Sequence, residues 1–413
     1  MPTIPDLYLA FRQAKTALYF ERRGVGLLEL AAFEQDLPNK LRELKQTLDT
    51  RPWFDGLEVG EVWIVPKRLR DGKDSDDVVR IGARDEKGLP RAIDVQVRIS
   101  PSPGYAIAEV LYLWQFGGVL ETMLSGRDVL GYRLDLRAQR VIPHRRWLFE
   151  YWPSRYQQFR TAPLQAAKNA LARDEEVLIV SADLASYYDT IDPSFLLSEP
   201  FIEDLLNNSV APIDVDEYRK ATTSLLGAYA RYRAIASRRV GTRLETGVPI
   251  GALTSRVVAN LALAPLDRHI GRRPDVLCYR RYVDDIVIVA QARDSAPESL
   301  RRFFPLLEER DGILPLDTEL LERQGSEFQI QQKKVRIHRL GGIQGVDFVD
   351  AVISDFQRTL SESRSFVDEA TLSRNRNEEA VLHAGISTGL IWKPRAAARR
   401  LSAAMDRWRC CSS

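Results

Sequence analysis

The sequence is poor in cysteine and contains no long hydrophobic run. Its three cysteines, Cys278, Cys410 and Cys411, form neither a disulfide framework nor a CxxC metal motif. No segment reaches the roughly 18 apolar residues that a membrane span requires, and the first residues lack the basic and apolar regions of a signal peptide. These absences predict a soluble, cytoplasmic protein that binds no membrane. The sequence indicates no role for Cys410 and Cys411.

Net charge is also small. The 59 Lys and Arg residues nearly balance the 57 Asp and Glu residues, which leaves a formal charge of +2. Because the chain is not a polycation, any nucleic-acid surface must arise from local clustering of basic residues. A hydrophobic content of 45% in 413 residues supports a sizeable core and two or three domains.

The most informative feature is the pair of adjacent acids Asp284 and Asp285. They lie between two short runs rich in β-branched residues, 276–278 and 286–289, which predicts a β-hairpin with the acids at its turn. Adjacent carboxylates repel each other, so they need a compensating cation. The hairpin is therefore a candidate cation site.

A third acid, Asp183, ends the apolar run 177–182, which is typical of a buried strand. Acids at the end of one strand and on a neighbouring hairpin can hold two divalent ions a few ångströms apart. Such ions stabilise both the attacking and the leaving oxygen in phosphoryl transfer. The three acids together predict polymerase chemistry.

Three motifs resemble the palm motifs of reverse transcriptases and occur in that family's order. They are Asp183-Leu-Ala-Ser-Tyr-Tyr-Asp-Thr-Ile, Gly247-Val-Pro-Ile-Gly251-Ala-Leu-Thr-Ser255 running on to Asn260, and Tyr282-Val-Asp-Asp285. The resemblance covers roughly residues 60–350 and is best between 177 and 290. A lone Tyr-x-Asp-Asp is a weak signal because acidic turn residues are common, whereas three ordered motifs are specific.

The resemblance implies an α+β chain with a right-hand polymerase fold. A helical extension is expected over residues 1–55, fingers and palm with a βαββ palm core over 56–350, and a helical thumb-like region over 351–413. The local patterns predict the following elements. Helices are expected at 106–124, 163–173, 193–240, 252–270 and 297–310, and strands at 61–65, 78–81, 335–337 and 346–348.

The resemblance also implies roles for the acids. Asp183 and Asp284 are expected to be the main ligands of two Mg²⁺ ions, with Mn²⁺ as a substitute, because hard cations prefer carboxylate oxygen. The backbone carbonyl of Leu184 is implied as a further ligand. Asp285 either assists electrostatically or contacts the primer end, and all three acids are expected to be catalytic.

Nucleotide contacts are implied at five positions. Tyr188 is expected beneath the incoming sugar, where its ring excludes a 2′-hydroxyl, while Tyr187 packs into the palm. Gly251 permits close backbone approach. Lys334 resembles a lysine that protonates or holds pyrophosphate, with Lys333 as its rival and a solvated lysine pair as the bland alternative. Lys67 and Arg98 match basic positions of the fingers.

Residues 131–160 are rich in arginine and aromatic side chains. The arginines proposed to bind nucleic acid are Arg133, Arg137, Arg140, Arg145 and Arg146. Cations can neutralise phosphates while aromatic faces stack on bases, so the segment suits single-stranded template or primer. The alternative is that the aromatics belong to the core and the arginines form a solvated face. A basic last helix, after residue 395, is a second candidate for binding RNA.

One residue departs from the commonest pattern of the family. Many reverse transcriptases have Gln after the proline of the second motif, whereas this chain has Ile250. That variant, the first helix and the lack of ribonuclease H, integrase or endonuclease motifs resemble bacterial defence-associated, abortive-infection reverse transcriptases. The resemblance implies an RNA-directed DNA polymerase that acts in antiviral defence with a dedicated non-coding RNA.

The expected partners are an RNA template, deoxynucleotides and the DNA product. Association with a second copy of this chain or with a partner protein is also compatible with the sequence. Two other functions remain compatible with the sequence. The same palm would support template-independent or protein-primed DNA synthesis, in which a tyrosine hydroxyl serves as primer. A catalytically idle RNA-binding scaffold is the third hypothesis, which the three intact aspartates disfavour.

Overall fold

The computed structural model describes residues 2–19, 26–69, 93–209, 212–292, 299–310, 312–319 and 326–362. The chain is of the α+β class, with small antiparallel sheets. It forms two compact units. The first comprises Met1–Arg155, Ser186–Asp267 and Thr318–Phe328, and the second Tyr156–Ala185, Arg268–Asp317 and Gln329–Ser413.

The described part of the chain contains helices and strands in the following order. The helices are α1 Ile4–Tyr19, α2 Gly26–Gln35, α3 Leu37–Thr50, α4 Pro103–Thr122, α5 Trp152–Leu171, α6 Tyr187–Thr190, α7 Glu199–Asn208, α8 Val215–Val240, α9 Leu253–Ala262, α10 Ala264–Gly271 and α11 Gly342–Glu362. The strands are β1 Gly60–Leu69, β2 Ile93–Pro101, β3 Leu136–Arg137, β4 Arg140–Val141, β5 Val177–Asp183, β6 Val276–Tyr282, β7 Asp285–Gln291, β8 Ile313–Pro315, β9 Gln329–Gln331 and β10 Arg336–Leu340.

Helix α4 forms the centre of the first unit. Ser102 caps it by accepting a hydrogen bond from the Tyr105 amide at 3.3 Å. The helix is buried on almost every face, and its buried side chains include Ile107, Val110 and Leu113. A helix that is apolar all round belongs in a core. Helices α1 and α9 and strand β4 pack against it. The predicted helix at 106–124 is confirmed, beginning three residues earlier.

Strands β1 and β2 form an antiparallel ribbon in the same unit. The register runs from Gly60 opposite Pro101 to Leu69 opposite Ile93, with a bulge between Pro66 and Arg68. The predicted strand at 61–65 is confirmed. Its expected partner at 78–81 lies outside the described residues, and β1 pairs with β2.

The second unit is built on a four-stranded antiparallel sheet in the order β10–β5–β7–β6. Strand β5 is central, so both of its edges are paired, and its apolar residues 177–180 are fully buried. Strands β6 and β7 form the hairpin that the acid pair predicted. The sheet therefore brings the end of β5 beside the hairpin turn.

Two predicted elements differ from the structure in type or in their first residue. Residues 346–348, expected as a strand, belong to α11, where Val349 and Val352 are the buried positions and follow the spacing of a helix. The helix expected at 163–173 is α5, which begins at Trp152 and contains Pro163 in its interior. A proline is typical of a helix start, and here that preference gave the wrong boundary.

Three further helices were predicted too long. The helix expected at 193–240 is divided into a 3-10 turn, Pro193–Leu197, and the helices α7 and α8. In place of a helix at 297–310, the described residues show a single 3-10 turn, Leu300–Arg302. Pro305 accounts for the end of this turn because a proline disfavours helical backbone in the residue before it. The helix expected at 252–270 is interrupted at Leu263, between α9 and α10.

None of the helices in the described ranges is long and apolar enough to cross a membrane.

Candidate active site

Asp183 and Asp285 face each other across adjacent antiparallel strands. Asp183 is the last residue of β5 and pairs in register with Asp285, the first residue of β7. Directly opposite side chains have Cβ atoms about 4.5–5.5 Å apart. Beyond the strand, the Leu184 amide donates to the Asp284 carbonyl at 3.3 Å. The backbone itself thus fixes the three acids in one region.

The turn that carries Asp284 is strained. Tyr282 pairs with Asp285, so Val283 and Asp284 form a two-residue turn, and Val283 has a left-handed φ of 61°. That conformation is a genuine outlier for a β-branched residue. The Arg281 side chain is wholly buried and donates to the Val283 carbonyl at 2.9 Å. Arg281, which the sequence analysis did not single out, therefore helps to hold the acid turn.

A lysine reaches the same site from the segment before β10, the strand that flanks β5 on the side opposite β7. Lys334 lies in a 3-10 turn, Gln332–Lys334, just before β10, and its Nζ donates to Asp183 Oδ2 at 2.7 Å. This contact brings Lys334 into the acid site. The side chain of the alternative, Lys333, lies outside the described residues, as does that of Lys67.

Aromatic rings line the hairpin next to the acids. Tyr156 packs edge-on against Tyr282, with ring centroids 5.1 Å apart, and Phe159 packs against the same ring at 5.8 Å. Burial raises the pKa of Tyr156, and the charge of Asp285 adds to the rise while Arg160 opposes it. Tyr156 was part of the aromatic segment in the sequence, but its position beside Asp285 had no local signal.

The acids suit a hard divalent cation by their chemistry. Asp183 and Asp285 offer carboxylate oxygens from opposed positions, the donor type that Mg²⁺ and Mn²⁺ prefer. Within the described ranges, no group of three or more His, Cys, Asp or Glu side chains is close enough to hold a metal ion. The fit therefore rests on the Asp183–Asp285 pair, with Lys334 already bound to one of its oxygens.

The second motif lies in the first unit, where it contacts the ribbon β1–β2. The Ile99 amide donates to the Ile250 carbonyl at 2.8 Å, which brings Arg98 and Gly251 into one neighbourhood. Gly251 has φ +116°, and a Cβ there would lie 2.2 Å from the Ile99 carbonyl oxygen. Glycine is thus required by the approach of two backbones. The Arg98 guanidinium donates to Gln96 Oε1 at 2.7 Å.

The two adjacent tyrosines of the first motif have different environments. Tyr187 is buried and donates to the Ala259 carbonyl, so its expected packing role is confirmed. Tyr188 is partly exposed, and its own carbonyl accepts from the Val248 amide at 2.9 Å. The second motif is therefore bonded directly to the backbone that carries Tyr188.

The five arginines proposed to bind nucleic acid fall into two groups. Arg133 is nearly buried and donates to Glu121 Oε2 at 2.6 Å, and Arg145 pairs with Asp135. Arg137, Arg140 and Arg146 are exposed. Arg133 and Arg145 hold the segment together, which leaves the exposed three as its available cationic surface.

A buried acid supports the start of α9. Glu109, wholly buried on α4, accepts from the Thr254 amide at 2.9 Å and from the Thr254 hydroxyl at 2.6 Å. Burial raises the pKa of Glu109 from 4.5 to about 7, although the bonds from Thr254 oppose the rise. The signal in the sequence was a carboxylate in a largely apolar helix, whose other carboxylate is Glu121.

The chain fits no protein-family model, and no curated protein resembles it at a significant level.

Proposed function

We propose that this protein is an RNA-directed DNA polymerase that uses two Mg²⁺ ions. The observation that carries the proposal is the register of Asp183 opposite Asp285, beside a turn that presents Asp284. The ordered resemblance of the three motifs to those of reverse transcriptases supports the same activity. A right-hand polymerase fold is part of this proposal.

In this proposal the acids would hold the metal ions, and other residues of the motifs would contact the substrate. Bound Mg²⁺ supplies a lowered pKa for the attacking 3′-hydroxyl and charge stabilisation for the departing pyrophosphate. Lys334 holds its ammonium at the same site, where it can neutralise or protonate the leaving group. In this proposal Tyr188, Gly251, Arg98 and Lys67 contact the nucleotide.

Incorporation of labelled deoxynucleotide on a primed RNA template tests the activity. Asp183→Asn and Asp285→Asn should each abolish Mg²⁺-dependent incorporation, because each removes a carboxylate while preserving shape. Asp347→Asn is the matched control, since Asp347 is exposed on α11. If folded Asp183→Asn protein still incorporated nucleotide at the wild-type rate, the site assignment would be wrong.

The same assay separates the polymerase from its alternatives. Sequencing the products shows whether they copy the supplied template, as we expect, or are synthesised without one. Product that stays with the protein after denaturation, and is released only by protease, would indicate protein priming. RNA binding without any incorporation would favour the idle scaffold.

The proposed biological role is defence against bacteriophage with a non-coding RNA partner. It is supported by the resemblance of the Ile250 variant and the first helix to defence-associated reverse transcriptases. A defence enzyme needs only to make DNA at the right moment, which fits a chain with one set of catalytic motifs.

A further inference from the structure

Two arginines face each other on a small hairpin of the first unit. Strands β3 and β4 pair Leu136 with Val141 and Arg137 with Arg140. Val141 is buried, whereas Arg137 and Arg140 are exposed. Side chains alternate between the two faces of a ribbon, so both guanidinium groups lie on the face opposite Val141.

This arrangement is costly in the absence of an anion. Like charges placed directly opposite each other destabilise an antiparallel pair. The connecting residues Ala138 and Gln139 both have left-handed φ values, 46° and 58°, which is the type I′ turn that normally uses Asn and Gly. The hairpin therefore presents two opposed cations on a turn that its own sequence does not favour.

The hairpin is also fixed firmly to the core. A Cβ on Gly118 of α4 would lie 2.0 Å from the Gln139 carbonyl oxygen, and a Cβ on Gly117 would lie 2.7 Å from Leu134 Cδ1. The two glycines of α4 thus let the turn and the adjoining strand approach the helix closely. A turn held in this way cannot swing to separate the arginines.

The acids around the hairpin are engaged by other arginines. Asp135 pairs with Arg145, and Glu150 accepts from Arg155 Nη2 at 2.6 Å. Within the described parts of the chain, no ion pair of Arg137 or Arg140 with an acid is found. An external anion is the partner that their charge calls for.

Exposed aromatic rings adjoin the same ribbon. The Glu150 amide donates to the Arg133 carbonyl at 2.8 Å, so the chain runs alongside the hairpin strand up to Tyr151 and Trp152. These two side chains are 64% and 52% exposed. Adjacent exposed aromatics are unusual on a soluble surface and can stack on unpaired bases.

We propose that Arg137 and Arg140 clamp one phosphate of single-stranded nucleic acid whose bases stack on Tyr151 and Trp152. Guanidinium groups bind phosphate oxygens in a bidentate manner, and one shared phosphate relieves the repulsion between both arginines. Glu150, which is bonded to Arg133, lies four residues from Arg137 along the paired strand, a span of about 13 Å at about 3.3 Å for each residue, and the aromatic pair begins at the residue after Glu150. The inference rests on the proposed function only for its choice of nucleic acid as the partner.

The salt dependence of binding tests the clamp. Fluorescence anisotropy would follow labelled oligouridylate and oligodeoxythymidylate, each about twelve nucleotides long, in EDTA and without nucleotide. Loss of one neutralised phosphate should reduce the slope of log affinity against log salt by about 0.7. Because one phosphate is shared, the double variant Arg137→Gln with Arg140→Gln should show this reduction, whereas each single variant keeps one guanidinium on the phosphate and should show a smaller one.

A matched charge control is available on the same unit. Arg42→Gln combined with Arg243→Gln removes two exposed charges elsewhere and should leave the slope at its wild-type value. An equal fall in slope for this control would overturn the clamp. So would a fall of about 1.4 in the double variant, the value for two separate phosphates.

The aromatic contact is tested separately. Tyr151→Ala with Trp152→Ala should weaken single-strand binding by at least about thirtyfold at an unchanged salt slope, since two rings are removed and stacking contributes about 1–3 kcal/mol per base. Tyr8→Ala, another exposed aromatic, is the control and should bind like wild type. Equal weakening for duplex RNA, whose bases are already stacked, would contradict the stacking role.

The outcome does not depend on polymerase activity. If wild-type protein shows binding that depends on the clamp but incorporates no nucleotide, the clamp stands and the polymerase proposal is refuted. If it incorporates nucleotide but its binding does not depend on Arg137 and Arg140, only the clamp is refuted.

Discussion

Lys334 and Asp183 form a 2.7 Å ion pair at the end of the central strand β5. The lysine ammonium thus binds a carboxylate oxygen that a divalent ion would also use. Both side chains are shielded from water to different degrees, with 36% of Lys334 and 15% of Asp183 exposed. The proposed metal site therefore contains an internal competitor for its own ligand.

Lys334→Met should change metal binding and catalysis in opposite directions. Mn²⁺ binding, measured by isothermal titration, should tighten by about fivefold, because a partly exposed ion pair contributes up to about 1 kcal/mol. Nucleotide incorporation should fall because the leaving group loses its cation. Lys168→Met is the control, since Lys168 pairs with Asp350 at 2.6 Å and should leave both unchanged. Unaltered Mn²⁺ affinity in Lys334→Met would show that Lys334 does not compete with the metal ion for Asp183.

Tyr188 and Tyr187 should separate sugar selection from stability. Tyr188→Ala should raise ribonucleotide incorporation relative to deoxynucleotide in competition assays, since the proposed ring contact with the 2′ position is lost. Tyr187→Phe should lower the free energy of unfolding by about 1–3 kcal/mol, because the Ala259 carbonyl loses its donor. Its sugar preference should stay at the wild-type value. A change of preference in Tyr187→Phe alone would transfer the role to Tyr187.

Glu109 should make stability depend on pH. The pKa of Glu109 in the folded protein is raised to about 7, so the folded state binds this proton more tightly than the unfolded state. Its stabilising contribution is full below pH 4.5 and is lost as the pH rises through 7. The total change is about 3 kcal/mol, because each tenfold difference in proton affinity between the two states corresponds to about 1.36 kcal/mol.

Chemical denaturation across this pH range checks the prediction. Glu109→Gln stays neutral and should remove the decline in unfolding free energy, while Glu203→Gln, on the exposed face of α7, should retain it. A decline of the same size in Glu109→Gln would assign the pH dependence to other groups.

Two glycine substitutions should have opposite effects on stability. Gly251→Ala places a Cβ 2.2 Å from the Ile99 carbonyl at φ +116° and should destabilise the fold by at least about 1–3 kcal/mol. Gly227→Ala lies within α8, where the nearest atom would be 3.8 Å away. It should stabilise by about 0.5–1 kcal/mol because alanine favours a helix. Thermal unfolding of both variants measures the difference, and a stabilised Gly251→Ala would contradict the close approach.

The defence role predicts protection in plaque assays. Cells that carry the native locus with its flanking sequence should resist at least one phage in a broad panel. Protection should disappear when Asp183, Asp284 and Asp285 are replaced by Asn, because synthesis of DNA is the protective act in this hypothesis. Equal plating on both strains would refute the defence role and leave the polymerase proposal standing.

Local patterns predicted the acid-bearing elements well. The strand that ends at Asp183 and the hairpin around Asp284 are confirmed because each is a short β-branched run bounded by polar residues. The same reasoning was wrong at 346–348, where a short apolar run belongs to a helix. Short apolar runs cannot distinguish the two, since tertiary packing decides between them.

Contacts between distant segments could not be predicted in this way. The family resemblance offered Lys334 and Lys333 as alternatives, and only the folded chain places Lys334 on Asp183. Which arginines are paired with acids and which are exposed could not be predicted for the same reason, because the acids that bind Arg133 and Arg145 are 12 and 10 residues away. Such ion pairs depend on how the helix and the ribbon pack against each other, and the periodicity of the sequence carries no information about that packing.

The ion pair between Lys334 and Asp183 joins residues that are 151 positions apart. A contact of such sequence separation closes a long loop, and folds dominated by non-local contacts form slowly. During synthesis, a nascent chain that carries all three aspartates still lacks the lysine until the last part of the described chain is translated. The acid site is therefore complete only when nearly the whole described chain has left the ribosome, so that premature termination before Lys334 leaves the aspartates without this partner.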